Sequence, residues 1–171
     1  ITRRRDLAML TLLLGTGMRV SECVGLNVDD VDFKTNALKI TRKGGNQVVL
    51  YFSDEVKVAL FDYIEERNQN PYLKTEPALF VSLQNKRITP RAVQKLVKKY
   101  AEIVTPLKHI TPHKLRSTYG TELYRQTGDI YIVADVLGHK DVNTTKKHYA
   151  AITEDIRKKA ADKVHLRTNE E

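Results

Sequence analysis

The chain has 171 residues, 41% of them hydrophobic, enough to bury one sizeable core but not two, so a single domain is predicted. Its 29 Lys and Arg against 21 Asp and Glu leave a net charge of +8, which favours a polyanion such as nucleic acid without identifying it. A single cysteine, Cys23, excludes an intramolecular disulfide framework and a thiolate metal cluster. No apolar run reaches membrane-spanning length and the start lacks a secretion-signal pattern, so a soluble, cytoplasmic protein with no membrane partner is expected.

Leu7, Leu10, Leu14 and Met18 recur at helical spacing and predict a first helix that stops at Gly15 to Gly17. A short second helix then carries Arg19 and Glu22 on one side, with Cys23 on its buried side. From Ala37 to Phe52 alternation replaces helical spacing, with Leu38 and Ile40 in one run, Val48, Leu50 and Phe52 in the other, and Lys43 to Asn46 between them. That pattern is a hairpin with a Gly-Gly turn. Val58, Phe61 and Ile64 predict a helix over Asp54 to Arg67, Asn68 to Pro77 reads as a polar loop, and Leu79, Phe80 and Val81 as a third strand.

Thr89-Pro90 and Thr111-Pro112 are both N-cap plus first-turn proline, opening helices that run to about Ile103 and Gln126. A third apolar helix, Ile130 to Leu137, ends at Gly138 as at a C-terminal cap. Asn143 or Thr144 begins a short helix bearing Tyr149, and Ile152, Ile156, Ala160 and Val164 form a narrow apolar stripe on a charged tail. The fold class is α+β, mostly helical with a small three-stranded antiparallel sheet at one edge. The chain starts at Ile1 without an initiator Met and enters its first helix within a few residues, as expected of a fragment.

Four separated stretches place cations, histidines or a tyrosine where a phosphodiester can be gripped and attacked. They are Gly15-Thr16-Gly17-Met18-Arg19-Val20-Ser21-Glu22, Thr41-Arg42-Lys43-Gly44-Gly45, Thr111-Pro112-His113-Lys114-Leu115-Arg116, and Leu137-Gly138-His139 followed by His148-Tyr149. A phosphodiester in mid-reaction gathers charge on two non-bridging oxygens, and the planar, permanently charged fork of arginine suits both. Arg19 follows a Gly-rich break, and Arg116 lies three residues from His113 near a helix N-terminus, where anions bind readily. Glu22, a turn beyond Arg19, is placed to steady that guanidinium. His109 and His113 are four apart, but Pro112 begins a helix between them and no cysteine or carboxylate completes a metal set. Taken singly, each cation has the ordinary reading of a solvated surface charge and most tyrosines are half-buried packing residues.

In this order and spacing the set closely resembles the catalytic domain of the tyrosine recombinases, the phage-integrase family, over nearly the whole chain. The resemblance implies that Tyr149 attacks phosphorus and is held as a 3′-phosphotyrosyl ester, which conserves the bond energy so that neither ATP nor a metal nor any other cofactor is required. It implies that Arg19 and Arg116 clamp the phosphate, that His113 assists proton movement and that His139 hydrogen-bonds the phosphate. The resemblance further implies a hairpin lysine as general acid for the departing 5′-oxygen, read here as Lys43 in preference to Arg42 and Lys39, although the turn reads Arg42-Lys43-Gly44-Gly45 where the family usually has Gly-Lys-Gly. Ser117 stands where a second histidine often follows the arginine, a departure assigned to packing.

The resemblance also places the Thr89 to Ile103 helix in the DNA major groove, with Arg91 reaching a base edge, Gln94 beside it, Lys95 meeting phosphate, and Arg42 as a further DNA contact. It implies double-stranded DNA as partner, a homo-oligomer on DNA, a tetramer, with accessory DNA-bending proteins left open. Residues 1–171 are read as the catalytic domain, without the separate N-terminal DNA-gripping domain of the family. The tail, residues 151–171, either docks on a neighbouring subunit or folds back on its own domain. The function expected is that of an integrase of a phage or integrative element, with a chromosome-dimer resolving recombinase, a non-catalytic DNA-binding module and a type IB topoisomerase as the alternatives weighed.

Overall fold

The computed structural model describes residues 2–104 and 109–163. Helix α1 (Thr2–Thr16) leads into a short α2 (Val20–Val24), followed by a three-residue 3-10 turn at Val28–Asp30. An antiparallel sheet of order β1-β2-β3 comes next, from β1 (Val31–Asp32), β2 (Ala37–Thr41) and β3 (Gln47–Tyr51). Five further helices follow: α3 (Asp54–Asn68), α4 (Pro90–Val104), α5 (Pro112–Thr127), α6 (Ile130–Leu137) and α7 (Val142–His148), with α8 (Ala150–Ala160) after them making six. The expected α+β class holds. The chain divides into two compact units, one ending at Tyr119 and one beginning at Gly120.

In the first unit α1 packs on α3, and α2 packs on α1, β2 and α4. The hairpin pairs Leu38 with Leu50 and Ile40 with Val48, and closes through Arg42 N–H to Asn46 O (2.7 Å) and Gly45 N–H to Arg42 O (3.0 Å). Alternation buries Leu38, Ile40 and Leu50 on the core face. Val93, Leu96 and Val97 are the buried side of α4, as the sequence indicates. Cys23 is buried as expected, and burial pushes its thiol up to about 12, so it stays neutral.

Two elements differ from expectation. The leucines at helical spacing on α1 are not its core face: Leu7 and Leu14 are 59% and 48% exposed, whereas Ala8, Met9, Leu12 and Leu13 are buried. On α3 likewise Val58 and Phe61 face outward, Phe61 meeting Phe33 edge-on, while Val56, Leu60, Tyr63 and Ile64 form the core. Both helices carry more apolar residues than one stripe needs, so spacing alone selects the wrong set; packing of α1 on α3 decides the face.

The third strand is β1, pairing Val31 with Leu38, and not Leu79 to Val81. The latter segment makes isolated bridges, Asn27 with Ala78 and Val81 with Arg87, and is buried throughout. The Phe80 carbonyl accepts the Ile88 N–H (3.0 Å), while those of Ala78, Leu79 and Val81 are satisfied by side chains instead of a ladder. Arg67 donates to Ala78 O (2.6 Å), the Tyr63 hydroxyl to Leu79 O (2.7 Å) and Arg5 to Val81 O (2.9 Å). Burial pushes the Tyr63 phenol up to about 12, which keeps it a donor.

The second unit is built from the latter part of α5 with α6, α7 and α8. Asp129 caps α6 by accepting from Tyr131 N–H (2.9 Å), and Asp141 caps α7 by accepting from Asn143 N–H (2.9 Å), one or two residues earlier than expected. Tyr149 sits at the joint between α7 and α8. No residue of α8 is buried; Ile152 and Ile156 are half-covered, Ala160 is exposed, and Val164 lies outside the described residues with the rest of the tail. Among the described residues no helix is long and apolar enough to cross a membrane.

The reassigned face of α1 has a direct consequence for stability. Leu12→Ala is expected to cost about 2 to 5 kcal/mol, the range for emptying a core leucine site, and Leu7→Ala no more than about 0.5 kcal/mol. Denaturant midpoints measure both, and equal losses would return Leu7 to the core.

Candidate functional site

The first unit gathers its candidate residues around the break after α1. The helix closes with Gly17 N–H to Leu13 O (3.1 Å) and the Thr16 hydroxyl to Leu12 O (2.7 Å). Gly17 adopts φ +68° and lies so close to α5 that a Cβ there would stand 2.2 Å from the Tyr119 ring. Any other residue is excluded twice, by conformation and by contact. The buried Gly17 carbonyl oxygen receives Arg116 Nη1 at 2.6 Å, and Arg116 is only 8% exposed. Two residues on, Arg19 takes an extended conformation at the start of α2 with its side chain exposed. The two arginines are thus tied through three residues of backbone.

Glu22 does something other than steady the Arg19 guanidinium. Its Oε1 accepts the backbone N–H of Arg19 (2.9 Å) and its Oε2 lies 3.5 Å from Arg42 Nε. It therefore fixes where Arg19 leaves the backbone and pins the base of the hairpin. The pairing also separates Arg42 from Lys43: Arg42 is held against a buried carboxylate, while Lys43 stands exposed at the hairpin tip.

A cavity of about 700 Å³ opens beside these residues, lined by Arg19, Ser21, Arg91, Gln94, Lys95, Lys98, His109, His113 and Arg116 among others, with no carboxylate in its wall. The N-terminus of α5 faces it, with Thr111 Oγ1 accepting Lys114 N–H (3.2 Å) and Pro112 in the first turn. The positive end of the α5 dipole, five Lys and Arg side chains and two imidazoles make an anion receptor. Arg91, Gln94 and Lys95, expected to contact DNA, line this cavity; Arg42 and Lys43 do not. Lys98 and His109 were not singled out as DNA contacts. Lys98 was legible, since it shares a helix face with Arg91, Gln94 and Lys95.

The second unit holds the other two candidates. Gly138 has φ 74°, and His139 N–H returns to Ala134 O (2.9 Å) while Gly138 N–H bonds Asp135 O (3.1 Å), the paired closure of a Schellman cap. His139 Nδ1 hydrogen-bonds Thr145 Oγ1 (2.5 Å). Tyr149 is 3% exposed. Its N–H bonds Thr145 O (3.1 Å), its carbonyl accepts from Thr153 N–H (3.0 Å) and Thr153 Oγ1 (3.1 Å), and Tyr124 meets its ring edge-on at 5.7 Å. Its hydroxyl rests over α5 at Gly120, where a Cβ would stand 2.3 Å from the oxygen. Thr145, Gly120 and Tyr124 carry no sequence signal of their own; they become visible only through what they touch. Among the described residues no group of three or more His, Cys, Asp or Glu side chains has metal-binding geometry.

Comparison with known proteins gives these positions a context. Residues 2–155 match the phage integrase family. The chain is 34% identical over 149 residues to the tyrosine recombinase XerC of Thermodesulfovibrio yellowstonii, covering 85% of this chain and 50% of that protein. It is 37% identical over 158 residues to the tyrosine recombinase XerS of Lactococcus lactis subsp. cremoris, covering 90% of this chain and 44% of the relative. The chain therefore spans about half the length of the curated relatives it matches. Its fold superposes on the crystal structure of XerA recombinase with a TM-score of 0.79 at 28% identity, over 85% of this chain and 53% of that one.

The Gly17 junction generates a prediction independent of any substrate. Gly17→Ala is expected to lose at least about 1 kcal/mol through left-handed strain alone, with the Tyr119 contact adding to it. Equilibrium unfolding measures the loss, and wild-type stability in that variant would contradict the geometry described.

Proposed function

The chain belongs to the phage integrase family, and from that premise we propose that it is the catalytic part of a site-specific recombinase that cuts and rejoins double-stranded DNA through a 3′-phosphotyrosyl intermediate. The observation that carries this is the convergence of Arg19, His113 and Arg116 on one cavity with the basic face of α4 and no carboxylate. Such a wall repels carboxylate-bound metal chemistry and attracts a phosphodiester.

The Tyr149 oxygen attacks phosphorus, the bond to the 5′-oxygen breaks, and Lys43 delivers the proton that the departing oxygen takes up. Arg19 and Arg116 donate to the two non-bridging oxygens as charge develops there. His139 donates a hydrogen bond to the same phosphate, and His113 moves the proton of the attacking hydroxyl. Reversal of these steps by a 5′-hydroxyl from a second duplex rejoins the strand, and since the ester conserves the bond energy, neither ATP nor a metal enters. The α4 residues Arg91, Gln94 and Lys95 grip the flanking duplex, Arg91 at a base edge. Strand exchange needs two cut duplexes, hence a homotetramer on DNA. An integrase of a mobile element and a chromosome-dimer resolving recombinase share all of this; the matches to recombinases named XerC and XerS support keeping the second setting beside the first.

The test uses a duplex selected from a randomised pool by binding to the chain. Tyr149→Phe is expected to bind it almost as wild type and to form no covalent adduct, whereas Arg19→Ala and Arg116→Ala each lose about 2.7 to 4 kcal/mol of transition-state stabilisation, read as cleavage rate. An adduct in Tyr149→Phe, or near-wild-type cleavage by either arginine variant, sinks the assignment.

Lys43→Ala is expected to cleave slowly and to recover on a duplex with sulfur in place of the leaving 5′-oxygen, because a thiolate departs unprotonated. Recovery by Arg42→Ala instead moves the general acid by one residue.

A further inference from the structure

Thr145 is fully buried, 0% exposed, in the middle of a helix whose other residues are exposed or, at Val142, half-covered, and neighbouring Thr144 is exposed. A buried hydroxyl must find partners, and this one faces the ring of His139 at Nδ1. The same residue's carbonyl receives the backbone N–H of Tyr149 at 3.1 Å. One side chain and one peptide unit of a single residue therefore hold the two second-unit groups to which the mechanism assigns chemistry. The backbone of His139 is already locked by the cap that follows α6, so the ring has only its own torsions left, and the Thr145 contact removes them.

We propose that Thr145 is the positioning residue of this site: its hydroxyl donates to His139 Nδ1 and so selects the neutral imidazole protonated at Nε2, the tautomer able to donate to a phosphate. The proposal rests on the functional reading above. A neutral imidazole carries one N–H, and the partner at one nitrogen decides which nitrogen that is. A phosphate oxygen only accepts, so a ring with its proton on Nδ1 would present a lone pair to it and repel it. Donation from Thr145 also stabilises the neutral ring against the imidazolium. Removing the hydroxyl is then expected to raise the His139 pKa and to let the ring populate the other tautomer, while the Tyr149 backbone stays held, because the carbonyl remains.

Thr145→Val keeps the shape and removes the hydroxyl; Thr145→Ser keeps the hydroxyl and removes a methyl. Nitrogen-15 spectra of the imidazole in the whole chain, without DNA, are expected to show His139 protonated at Nε2 in the wild type and in Thr145→Ser, and a shifted tautomer ratio with a raised pKa in Thr145→Val. On the selected duplex, Thr145→Val is expected to cleave about 10- to 100-fold more slowly, the range that loss of an outer hydrogen bond costs at metal-bound histidines, with Thr145→Ser close to wild type. Added to His139→Gln, Thr145→Val is expected to cost nothing more, since it acts through that ring.

A wild-type His139 protonated at Nδ1 overturns the proposal even if Thr145→Val does not fold. So does a Thr145→Val penalty that multiplies with that of His139→Gln, which marks a packing role. Wild-type cleavage by Thr145→Val while His139→Gln and Tyr149→Phe are inactive overturns the proposal alone. Wild-type cleavage by those two variants removes the functional reading beneath it.

Discussion

The hydrogen bond from Arg116 to the Gly17 carbonyl is the constraint on which the first unit's site depends. A guanidinium that is mostly buried must be hydrogen-bonded or the fold loses several kcal/mol, and a second cation nearby makes the demand sharper. The chain meets it with backbone. Gly17 turns its carbonyl toward α5 by entering the left-handed region, which requires glycine, and it reaches α5 closely because it has no side chain to strike Tyr119. Arg19 leaves the chain two residues later, held by Glu22 through its N–H. Position of one arginine thus follows from the anchoring of the other.

The second unit solves a different problem. Tyr149, the proposed nucleophile, has to be held in place. Here the support is backbone and ring contact: Thr145 takes the N–H, Thr153 the carbonyl, and Tyr124 the ring edge. Thr153 Oγ1 donates to the Tyr149 carbonyl, so in its contact with Tyr124 the phenol is the donor. Gly120 leaves the volume that the Tyr149 hydroxyl fills. Each unit therefore uses a glycine: Gly17 makes room for the Tyr119 ring while its carbonyl holds Arg116, and Gly120 makes room for the Tyr149 hydroxyl.

Much of this was legible before the fold. Gly138 as a cap, prolines opening α4 and α5, the Gly-Gly hairpin and the four boxes are local chemistry, and local chemistry is written in neighbouring residues. The core face of α1 was not legible, because Leu7 and Leu14 match helical spacing as well as Met9 and Leu12 do, and only α3 discriminates between them. Leu79 to Val81 has the composition of a strand, but the carbonyls of Leu79 and Val81 and of the preceding Ala78 are satisfied by Tyr63, Arg5 and Arg67 from elsewhere, pairings that no window of sequence contains. The same holds within the site. Glu22 takes the Arg19 N–H and Arg42 instead of the Arg19 guanidinium, since Arg42 arrives on the hairpin; Thr145 is one of two adjacent threonines, and burial alone distinguishes it.

The central claim is that Tyr149 becomes joined to DNA. The most direct measurement incubates the chain with a selected duplex nicked beside the cleavage position, so that the released fragment diffuses away and the covalent intermediate accumulates, then digests the adduct and locates the modified residue by mass spectrometry. A 3′-phosphonucleotide on the peptide containing Tyr149 is expected. Attachment to another of the tyrosines, such as Tyr131 or Tyr124, would contradict it.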